Sequence, residues 1–462
     1  MSYWKKVCLG CALFAAMTIA SAAQTFTTIG YFPFDVETFS SLIQGRDGNF
    51  YVTAVNAYGF VYKVTPSGVT TDLYSFCQQA GCADGTYPRG NLALGIDGNL
   101  YGTTVNGGTH GKGTVFKITP DGAYTVLHSF NSWDGSNPGA GLVLGSDGNF
   151  YGNTAVGGAN ASCSCGTVFK ISSSGKLTTL HSFDKTDGYY PYSPLVQGSD
   201  GSFYGTTDFG GRTTDDKNGL GTVFKLTLAG EFESLHSFQS SSEGVNPAAA
   251  LVQGTDGAFY GTTYGGGLVG FPCPGGCGTI FKIGPGGAFT SLDTFDSSNG
   301  GLPQSAMVQA TDGKLYGETP LSGSGNPGEI FSVTLPRTLE KEYGFDRSSG
   351  GGGATALLQS TDGKFYGTYG APGAFFSFDV GLGPFVTFVI PTGKVGKTAQ
   401  ILGQGLTGTT SVTFNGVAAA KFSMVSDTYM TAVVPAGATT GAVVVATPAG
   451  NLTSNVSFRI SQ

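Results

Sequence analysis

The sequence is poor in charged side chains and has no excess of basic ones. Only 11% of its 462 residues are Asp, Glu, Lys or Arg, and the formal net charge is −7. Proteins that bind nucleic acid neutralise phosphates with a basic surface, so this composition argues against a nucleic-acid partner. The chain also lacks a G-x-S-x-G elbow, an H-E-x-x-H helix and a P-loop, and so no common catalytic motif marks an active site.

Long hydrophobic runs are scarce too, and the main one stands at the N-terminus. Two lysines precede an apolar stretch from Val7 to Ile19, and small residues follow up to Ala23. The stretch is shorter than the roughly 20 apolar residues of a membrane span, and the pattern is typical of a cleaved secretory signal. We predict a signal peptide over 1–23 and a mature protein that is extracellular or on the cell surface, with the periplasm as a further location. The alternatives are a transmembrane anchor and a lipoprotein signal at Cys11.

Glycine, in contrast, is abundant, with 77 residues. The glycines follow no G-X-Y period, and 40% of all residues are hydrophobic. This combination excludes a collagen-like chain and disfavours disorder. It favours many short strands that are joined by glycine-containing turns.

A pattern of Asp, Gly, any residue, a bulky apolar residue and Tyr occurs seven times, at spacings of 50 to 56 residues. The aspartates are Asp47, Asp97, Asp147, Asp200, Asp256, Asp312 and Asp362. The tyrosines are Tyr51, Tyr101, Tyr151, Tyr204, Tyr260, Tyr316 and Tyr366. A period near 50 residues that persists over most of a chain indicates a propeller or a solenoid.

Each repeat divides into four short strands at its turn signals. In the third repeat these segments read LVLG, FYGNT, GTVFKIS and KLTTLHSF, which are rich in β-branched and aromatic residues. The Asp-Gly pair between the first two segments predicts a hairpin with a type I′ turn. Seven such units predict an all-β fold with a seven-bladed β-propeller of four-stranded blades.

The two ends of the repeat region predict how the ring closes. The last repeat runs from GAFFSFDV into GLGPFVTF without a fourth segment, whereas residues 25–32, TFTTIGYF, resemble one. We predict that 25–32 complete the last blade, which closes a propeller over residues 24–381 and leaves no open sheet edge. Residues 382–462 alternate short strands with Gly, Asn-Gly and Pro-Ala-Gly turns, which predicts an immunoglobulin-like β-sandwich after the propeller.

The repeats resemble the Gloeo_Verruco (GloVer) tandem repeat of secreted bacterial proteins. The resemblance rests on DGNLYGTT, GTVFKIT and LHSF in the second repeat, and it covers about Ser41 to Val380 with decay in repeats one, six and seven. The C-terminal part resembles an IPT/TIG domain through ILGQGL at 401–406, VTFNG at 412–416 and VVPAGATTG at 433–441. Together these resemblances imply a secreted bacterial protein of several domains, and they imply little about its chemistry.

Five glutamines share one register at the end of the first strand of a blade, and leucines take this place in repeats two and three. The glutamines are Gln44, Gln197, Gln253, Gln309 and Gln359. If this strand is the innermost one, the amides would surround the channel and could hydrogen-bond a ligand, although they cannot serve as acid or base. We favour a hydrated structural ring over a channel ligand.

Three further registers raise the question of a metal or ligand. His128, His181 and His236 share the fourth strand, where neighbouring blades lie far apart, so we interpret them as packing or surface residues. Lysines of the third strand are interpreted as packed stems or ion pairs, with a cationic arc for an acidic glycan as the alternative; they are Lys63, Lys117, Lys170, Lys225 and Lys282. We expect no cofactor, and calcium at one or two Asp-Gly turns is the alternative.

Six cysteines remain after the predicted signal peptide, and they form three local pairs. In an exported protein an even number of closely spaced cysteines predicts disulfides. Zinc, which needs four converging ligands, and free thiols are the alternatives. The predicted pairs are Cys77 with Cys82, Cys163 with Cys165, and Cys273 with Cys277.

These observations favour a secreted non-enzymatic binding or surface-scaffold protein, whose ligand is an extracellular polysaccharide or a cell-surface protein. Tyrosines would supply the stacking surfaces for sugars, because the mature chain keeps only Trp133. The alternative is a propeller enzyme acting on carbohydrate, a lyase or a glycosidase, and a glycosidase needs paired acidic groups. Asp215, Asp216 and Glu243 are the loop carboxylates that keep this alternative open.

Overall fold

A computed structural model describes residues 24–33, 36–160, 162–211, 219–270, 273–296, 298–321, 328–345, 355–369 and 373–461. Regular structure in these ranges is β, apart from a 3-10 turn at Ala80–Cys82. The predicted signal peptide (1–23) and the residues Asp215 and Asp216 lie outside the described residues. Within the described ranges, no helix has the length and apolar character needed to cross a membrane.

The chain forms a seven-bladed β-propeller of four-stranded antiparallel sheets, as predicted. Its first strand, β1 (Thr25–Tyr31), belongs to the last blade. The first blade contains β2 (Ile43–Gln44), β3 (Phe50–Ala54), β4 (Phe60–Val64) and β5 (Thr70–Ser75). The second contains β6 (Ala93–Leu94), β7 (Leu100–Thr104), β8 (Thr114–Ile118) and β9 (Tyr124–Ser129). The third contains β10 (Leu142–Leu144), β11 (Phe150–Thr154), β12 (Thr167–Ile171) and β13 (Leu177–Ser182).

The remaining four blades follow the same order. The fourth contains β14 (Val196–Gln197), β15 (Phe203–Thr207), β16 (Thr222–Leu226) and β17 (Phe232–Ser237). The fifth contains β18 (Val252–Gln253), β19 (Phe259–Thr263), β20 (Thr279–Ile283) and β21 (Phe289–Thr294). The sixth contains β22 (Val308–Gln309), β23 (Leu315–Thr319), β24 (Glu329–Thr334) and β25 (Thr338–Gly344). The seventh contains β26 (Leu358–Gln359), β27 (Phe365–Tyr369) and β28 (Ala374–Asp379), and β1 is its outermost strand.

The two ends of the repeat region meet in the seventh blade. Strand β1 pairs antiparallel with β28, and Phe26 lies opposite Phe378. Between the seventh and first blades, the ring of Tyr366 lies 4.5 Å from that of Phe50. Residues 25–32 were placed in this blade from the sequence, and the pairing of β1 leaves no open edge between the first and last blades.

The repeated Asp and Tyr join the turn of one blade to the packing of the next. In all seven blades the Tyr hydroxyl donates to the carboxylate of the Asp four residues earlier, at 2.7 to 2.9 Å. The same ring packs on the next blade, as Tyr101 does on Phe150 at 4.0 Å. The repeated Asp and Tyr therefore have a structural role: they fix the turn and pack neighbouring blades together.

The Asp-Gly turns differ from the predicted type I′ geometry. In the first blade the amide of Gly45 donates to the carbonyl of Asn49 at 2.8 Å, and that of Gly48 donates to the carbonyl of Gly45 at 3.1 Å. Gly48 has a φ of 76°, whereas Asp47 is not left-handed. This is the pattern of a type I turn followed by a left-handed glycine, which only glycine adopts without strain. The loop is one residue longer than the predicted two-residue turn, and within it Asp47 accepts the hydrogen bond from Tyr51.

Residues after the propeller form an immunoglobulin-like β-sandwich. One sheet has the order β29 (Thr387–Phe388), β31 (Thr398–Leu402), β35 (Tyr429–Val433) and β34 (Phe422–Ser426). The other has the order β33 (Val417–Ala418), β32 (Ser411–Phe414), β36 (Val443–Thr447) and β37 (Gly450–Thr453). Strands β30 (Thr392–Gly393) and β38 (Arg459–Ile460) form a parallel pair. Apolar side chains of both sheets, such as Ile401 and Val445, form one core.

The sandwich lies against the end of the propeller that carries the Asp-Gly turns. Arg46 of the first blade donates to Gln400 at 2.7 Å and lies 4.6 Å from the ring of Tyr429. Arg459 donates to the carbonyl of Gly198 in the fourth blade, at 2.7 Å. The first and fourth blades stand nearly opposite each other in a ring of seven. The sandwich therefore extends across the axial opening at this end.

Candidate functional site

The opposite end of the propeller is formed by two sets of loops, which together we call the loop face. One set joins the second strand of a blade to the third, and the other set joins each blade to the next. The three predicted disulfides lie in these loops and are confirmed; they are Cys77–Cys82, Cys163–Cys165 and Cys273–Cys277. The carbonyl of Cys165 accepts a hydrogen bond from the amide of Tyr190 at 3.1 Å, so this loop is fixed to the connection of the next blade.

A cavity of about 520 Å³ opens at the centre of the loop face. Its size lies within the range of small-molecule sites. The connections that enter all seven blades contribute to its lining, as do loops of the fourth and fifth blades. Its aromatic residues are Phe39, Tyr190, Tyr192, Phe209 and Tyr264, and its charged residues are Arg89 and Asp208. Amides and hydroxyls are supplied by Ser41, Asn91, Asn246, Gln304 and Ser305.

Tyr190 and Tyr192 form an aromatic wall whose position is fixed by the backbone. Tyr190 has a φ of 61°, and Asn246 has a φ of 55° at the same place in the next connection. The amide of Asp208 donates to the carbonyl of Tyr190 at 3.2 Å. Non-glycine residues keep this conformation only where their surroundings enforce it. The rings of Tyr190 and Tyr192 are 5.6 Å apart and within 9° of parallel.

Arg89 is the cation of the cavity, and its guanidinium is held on one side. Its guanidinium carbon lies 4.1 Å from the centroid of Phe39, and its Nη1 donates to the Tyr192 hydroxyl at 3.5 Å. Its Nε is buried and has no hydrogen-bond partner among the described residues. No described carboxylate lies within ion-pair distance of this side chain. The guanidinium can therefore accept an anionic ligand without displacing a partner.

Asp208 is the acid of the cavity. Burial raises its pKa to about 7, and its Oδ1 has no hydrogen-bond partner in the described part of the chain. Burial also raises the pKa of Tyr190; the charges of Tyr192 and Asp208 act in the same direction, whereas Arg89 lowers it. Tyr190 is thus within electrostatic range of the other three side chains. A carboxyl group with a pKa near 7 can accept or donate a proton at neutral pH.

The glutamine register lies at the other end of the channel, where it joins neighbouring blades. The amide of Ser199 donates to Gln253 Oε1 at 2.8 Å, and Gln253 Nε2 donates to Ser199 Oγ at 3.0 Å. Equivalent bonds from a backbone amide to Oε1 are made by Gln44, Gln197, Gln309 and Gln359. Protein groups thus engage all five amides.

The three histidines lie on outermost strands, away from the cavity. His128 and His181 each lie 2.9 Å from an aspartate, Asp134 and Asp187 respectively. His236 lies 3.3 Å from Glu243, and burial lowers its pKa. Glu243 is not among the residues that line the axial cavity.

Three of the third-strand lysines form ion pairs with turn aspartates. Lys63 lies 2.6 Å from Asp47, Lys225 lies 2.9 Å from Asp200, and Lys282 lies 2.8 Å from Asp256. Across the described residues, no group of three or more His, Cys, Asp or Glu side chains is placed to hold a metal ion. All seven turn carboxylates accept a hydrogen bond from Tyr, and three of them also pair with Lys.

Analysis of the sequence did not identify Arg89 or Asp208, although both interrupt the repeat. Asp208 follows the second strand at a position that Val105 and Ala155 occupy in two other blades. Arg89 follows the proline of its connection, where other blades have Gly139 and Ala248. A charged residue at a position that carries no charge in any other repeat was the available signal.

The fold and cavity define a class of protein: a repeat-built propeller with an axial pocket on its loop face and a sandwich at its other end. The chain belongs to the family of the Gloeobacter/Verrucomicrobia repeat, which matches residues 37–270 and 164–380. No functionally curated protein matches the chain.

Solved structures resemble the chain at low identity. A copper-bound fungal alcohol oxidase of the AA5 family is 14% identical with a TM-score of 0.49, covering 95% of this chain and 99% of that one. A gluconolactonase from Xanthomonas campestris is 12% identical with a TM-score of 0.41, covering 75% and 97%. A luciferin-regenerating enzyme is 13% identical with a TM-score of 0.39, covering 70% and 99%. At these values none of the three bears on the activity of this chain.

Proposed function

We propose that this protein is a secreted, non-enzymatic binding protein that takes a saccharide of an extracellular polysaccharide into the axial cavity. The observation that carries the proposal is the lining of the cavity, which combines aromatic rings with amides and hydroxyls. Sugars offer apolar ring faces for aromatic contact and hydroxyl groups for hydrogen bonds. The near-parallel rings of Tyr190 and Tyr192 supply the aromatic surface, and Asn91 and Gln304 are among the polar groups around it.

The proposed location is outside the cytoplasm, and the proposed role of the sandwich is an IPT/TIG-like spacer or docking module. Three disulfides on one protein suit an oxidising compartment. The sandwich lies at the Asp-Gly end, so it leaves the loop face open to a ligand.

Replacing Tyr192 with alanine is expected to weaken saccharide binding at least about tenfold, since aromatic anchors in central pockets dominate binding energy. The mature protein is first applied to a glycan array, and the affinity for retained glycans is then measured by calorimetry. Trp133→Ala is the matched control, because Trp133 is 73% exposed and does not line the cavity. Equal losses in both variants would place the ligand elsewhere, and retention of no glycan would contradict the proposal.

A second candidate is an enzyme acting on carbohydrate, and Asp208 is the observation that favours it. Asp208 is the one carboxyl group that lines the cavity in the described part of the chain, so the arrangement lacks the carboxyl pair of a glycosidase. A lyase needs a cation and a proton-transferring group, which Arg89 and Asp208 would supply.

If the protein turns over a retained glycan, Asp208→Asn is expected to lower kcat at least about 100-fold, because the amide cannot exchange a proton. Binding should persist, and the wild-type rate should change near pH 7 with the pKa of Asp208. Product is detected by chromatography of the retained glycan after incubation. Turnover that survives in Asp208→Asn would exclude this role, whereas retention without product supports the binding protein.

A further inference from the structure

We infer that Arg89 makes the axial cavity selective for a sugar that carries a carboxylate, which is the uronic acid class. This inference rests on the proposed function and specifies its ligand. The guanidinium is a planar fork that binds a carboxylate through two parallel hydrogen bonds. In this cavity no other cation lines the wall among the described residues.

The contacts of Arg89 hold the fork in place before the ligand arrives. The ring of Phe39 lies against the guanidinium at 4.1 Å, and the Tyr192 hydroxyl accepts a hydrogen bond from Nη1 at 3.5 Å. The entropy of ordering a long side chain is thus lost on folding rather than on binding. Because Tyr192 contacts Arg89, a sugar ring on the tyrosine wall would place its substituents close to the guanidinium.

The charge of Arg89 is uncompensated within the described residues. A partly buried cation without a counter-ion loses hydration and gains no ion pair. Its Nε is buried and has no partner among the described residues. A ligand carboxylate would supply the missing charge, while a neutral sugar would leave it unpaired.

The shape of the site favours the terminal unit of a chain. The cavity measures about 520 Å³ and opens on the loop face, and the sandwich extends across the opposite axial opening. A polysaccharide therefore cannot thread through the channel from end to end. One end of the chain enters, and its first uronic acid meets Arg89.

The test compares two matched probes on the mature full-length protein by calorimetry. One probe is trigalacturonate, and the other is the same trisaccharide after its carboxyl groups have been reduced to hydroxymethyl groups. Each probe is titrated into the protein separately. We expect the acidic probe to bind at least about tenfold more tightly, and we expect the preference to weaken as salt is raised. In Arg89→Gln the ratio of the two affinities should fall to twofold or less. Arg89→Lys should retain part of the preference, since it keeps the charge and loses the fork.

The outcomes separate the inference from the proposed function. Equal affinities for the two probes in the wild type, or a preference that survives Arg89→Gln, would overturn the inference and leave saccharide binding intact. Binding of neither probe would overturn the inference, and failure of all glycans on the array would overturn the proposed function as well. Thermal unfolding of both Arg89 variants, compared with the wild type, shows whether a lost preference comes from a lost fold.

Discussion

Replacing Phe26 with alanine is expected to lower the free energy of unfolding of the propeller by about 2–3 kcal/mol. Phe26 lies in β1, and its ring stacks on Tyr343 at 4.2 Å and contacts Phe376 at 4.9 Å. These contacts join the closing strand to the sixth and seventh blades. The ring is half-buried, so the loss should lie below the roughly 3–5 kcal/mol of a fully buried phenylalanine. Denaturant unfolding of the two proteins measures the difference.

The control for this variant lies in the same strand. Tyr31 is 61% exposed, and Tyr31→Ala should change stability by less than about 0.5 kcal/mol. If Phe26→Ala is as stable as the wild type, then β1 contributes little to closure and the ring is held by other contacts. If both variants lose stability equally, then the loss comes from the strand as a whole rather than from the aromatic contact.

The register of Phe26 explains why closure could be read from the sequence. In three other blades an aromatic residue at this place stacks on the preceding blade: Tyr124 on Tyr74, Phe232 on His181, and Phe289 on His236, just as Phe26 stacks on Tyr343. A further aromatic residue follows six positions later, as Phe32 follows Phe26. The same spacing in TFTTIGYF and YTVLHSF therefore reflects the same contacts. Such contacts can be recognised in a repeat protein because the same position packs in the same way in several blades.

The residues that line the cavity could not be predicted in this way, because they differ from blade to blade and do not belong to the repeated pattern. Residues five and three positions before the glutamine register face the axis on the loop face. They include Phe39 and Ser41 in the first blade, Arg89 and Asn91 in the second, and Tyr192 and Pro194 in the fourth. These residues share a position and no chemistry, so alignment on Asp-Gly does not single them out. These residues lie around one cavity only because the seven blades form a closed ring, and the sequence of a single repeat does not show this.

The hydrogen bonds of the glutamines could likewise not be foreseen from one repeat. Each glutamine forms its hydrogen bonds with a residue of the preceding blade that lies two positions after the glutamine register of that blade. Gln253, for example, bonds to Ser199. Leu144 is the equivalent residue of the third blade, and the corresponding residue of the second blade is Ile96. The apolar pair thus replaces both members of the polar pair. This correspondence between adjacent repeats becomes apparent only when the order of blades in space is known.

Glu318 is a buried residue at a place where other blades have neutral polar side chains. Thr53 and Asn153 occupy this register and donate to carbonyls of the next blade, Gly90 at 3.3 Å and Ser193 at 2.8 Å. Glu318 is fully buried, and neither carboxyl oxygen has a hydrogen-bond partner among the described residues. Burial raises the pKa of Glu318 well above its usual range. The protonated form is therefore the one that suits this position.

Replacing Glu318 with glutamine is expected to raise the stability of the propeller at neutral and alkaline pH. Above about pH 4.5 the unfolded chain releases the proton of Glu318 while the folded protein keeps it. The wild type should thus lose about 1.4 kcal/mol per pH unit from this group as pH rises toward the folded pKa. Glutamine stays neutral, so Glu318→Gln should match the wild type near pH 4.5 and melt about 3 °C or more above it at pH 8. Calorimetric scans of both proteins from pH 4.5 to 8 give the comparison.

The slope should decrease in the variant without vanishing, because Asp208 and Glu329 also have pKa values raised by burial. Glu340, which is exposed and lies in the same blade, provides the matched control. Glu340→Gln removes the same charge from the protein, together with an ion pair to Lys314, while the buried acid is kept, so the slope contributed by Glu318 should remain. Parallel curves for Glu318→Gln and the wild type would mean that Glu318 titrates as an ordinary carboxylate, and hence that it has a partner in the folded protein. A steeper loss in the wild type and in Glu340→Gln than in Glu318→Gln would instead mean that this propeller contains a neutral acid in the register where its other blades use a hydroxyl or an amide.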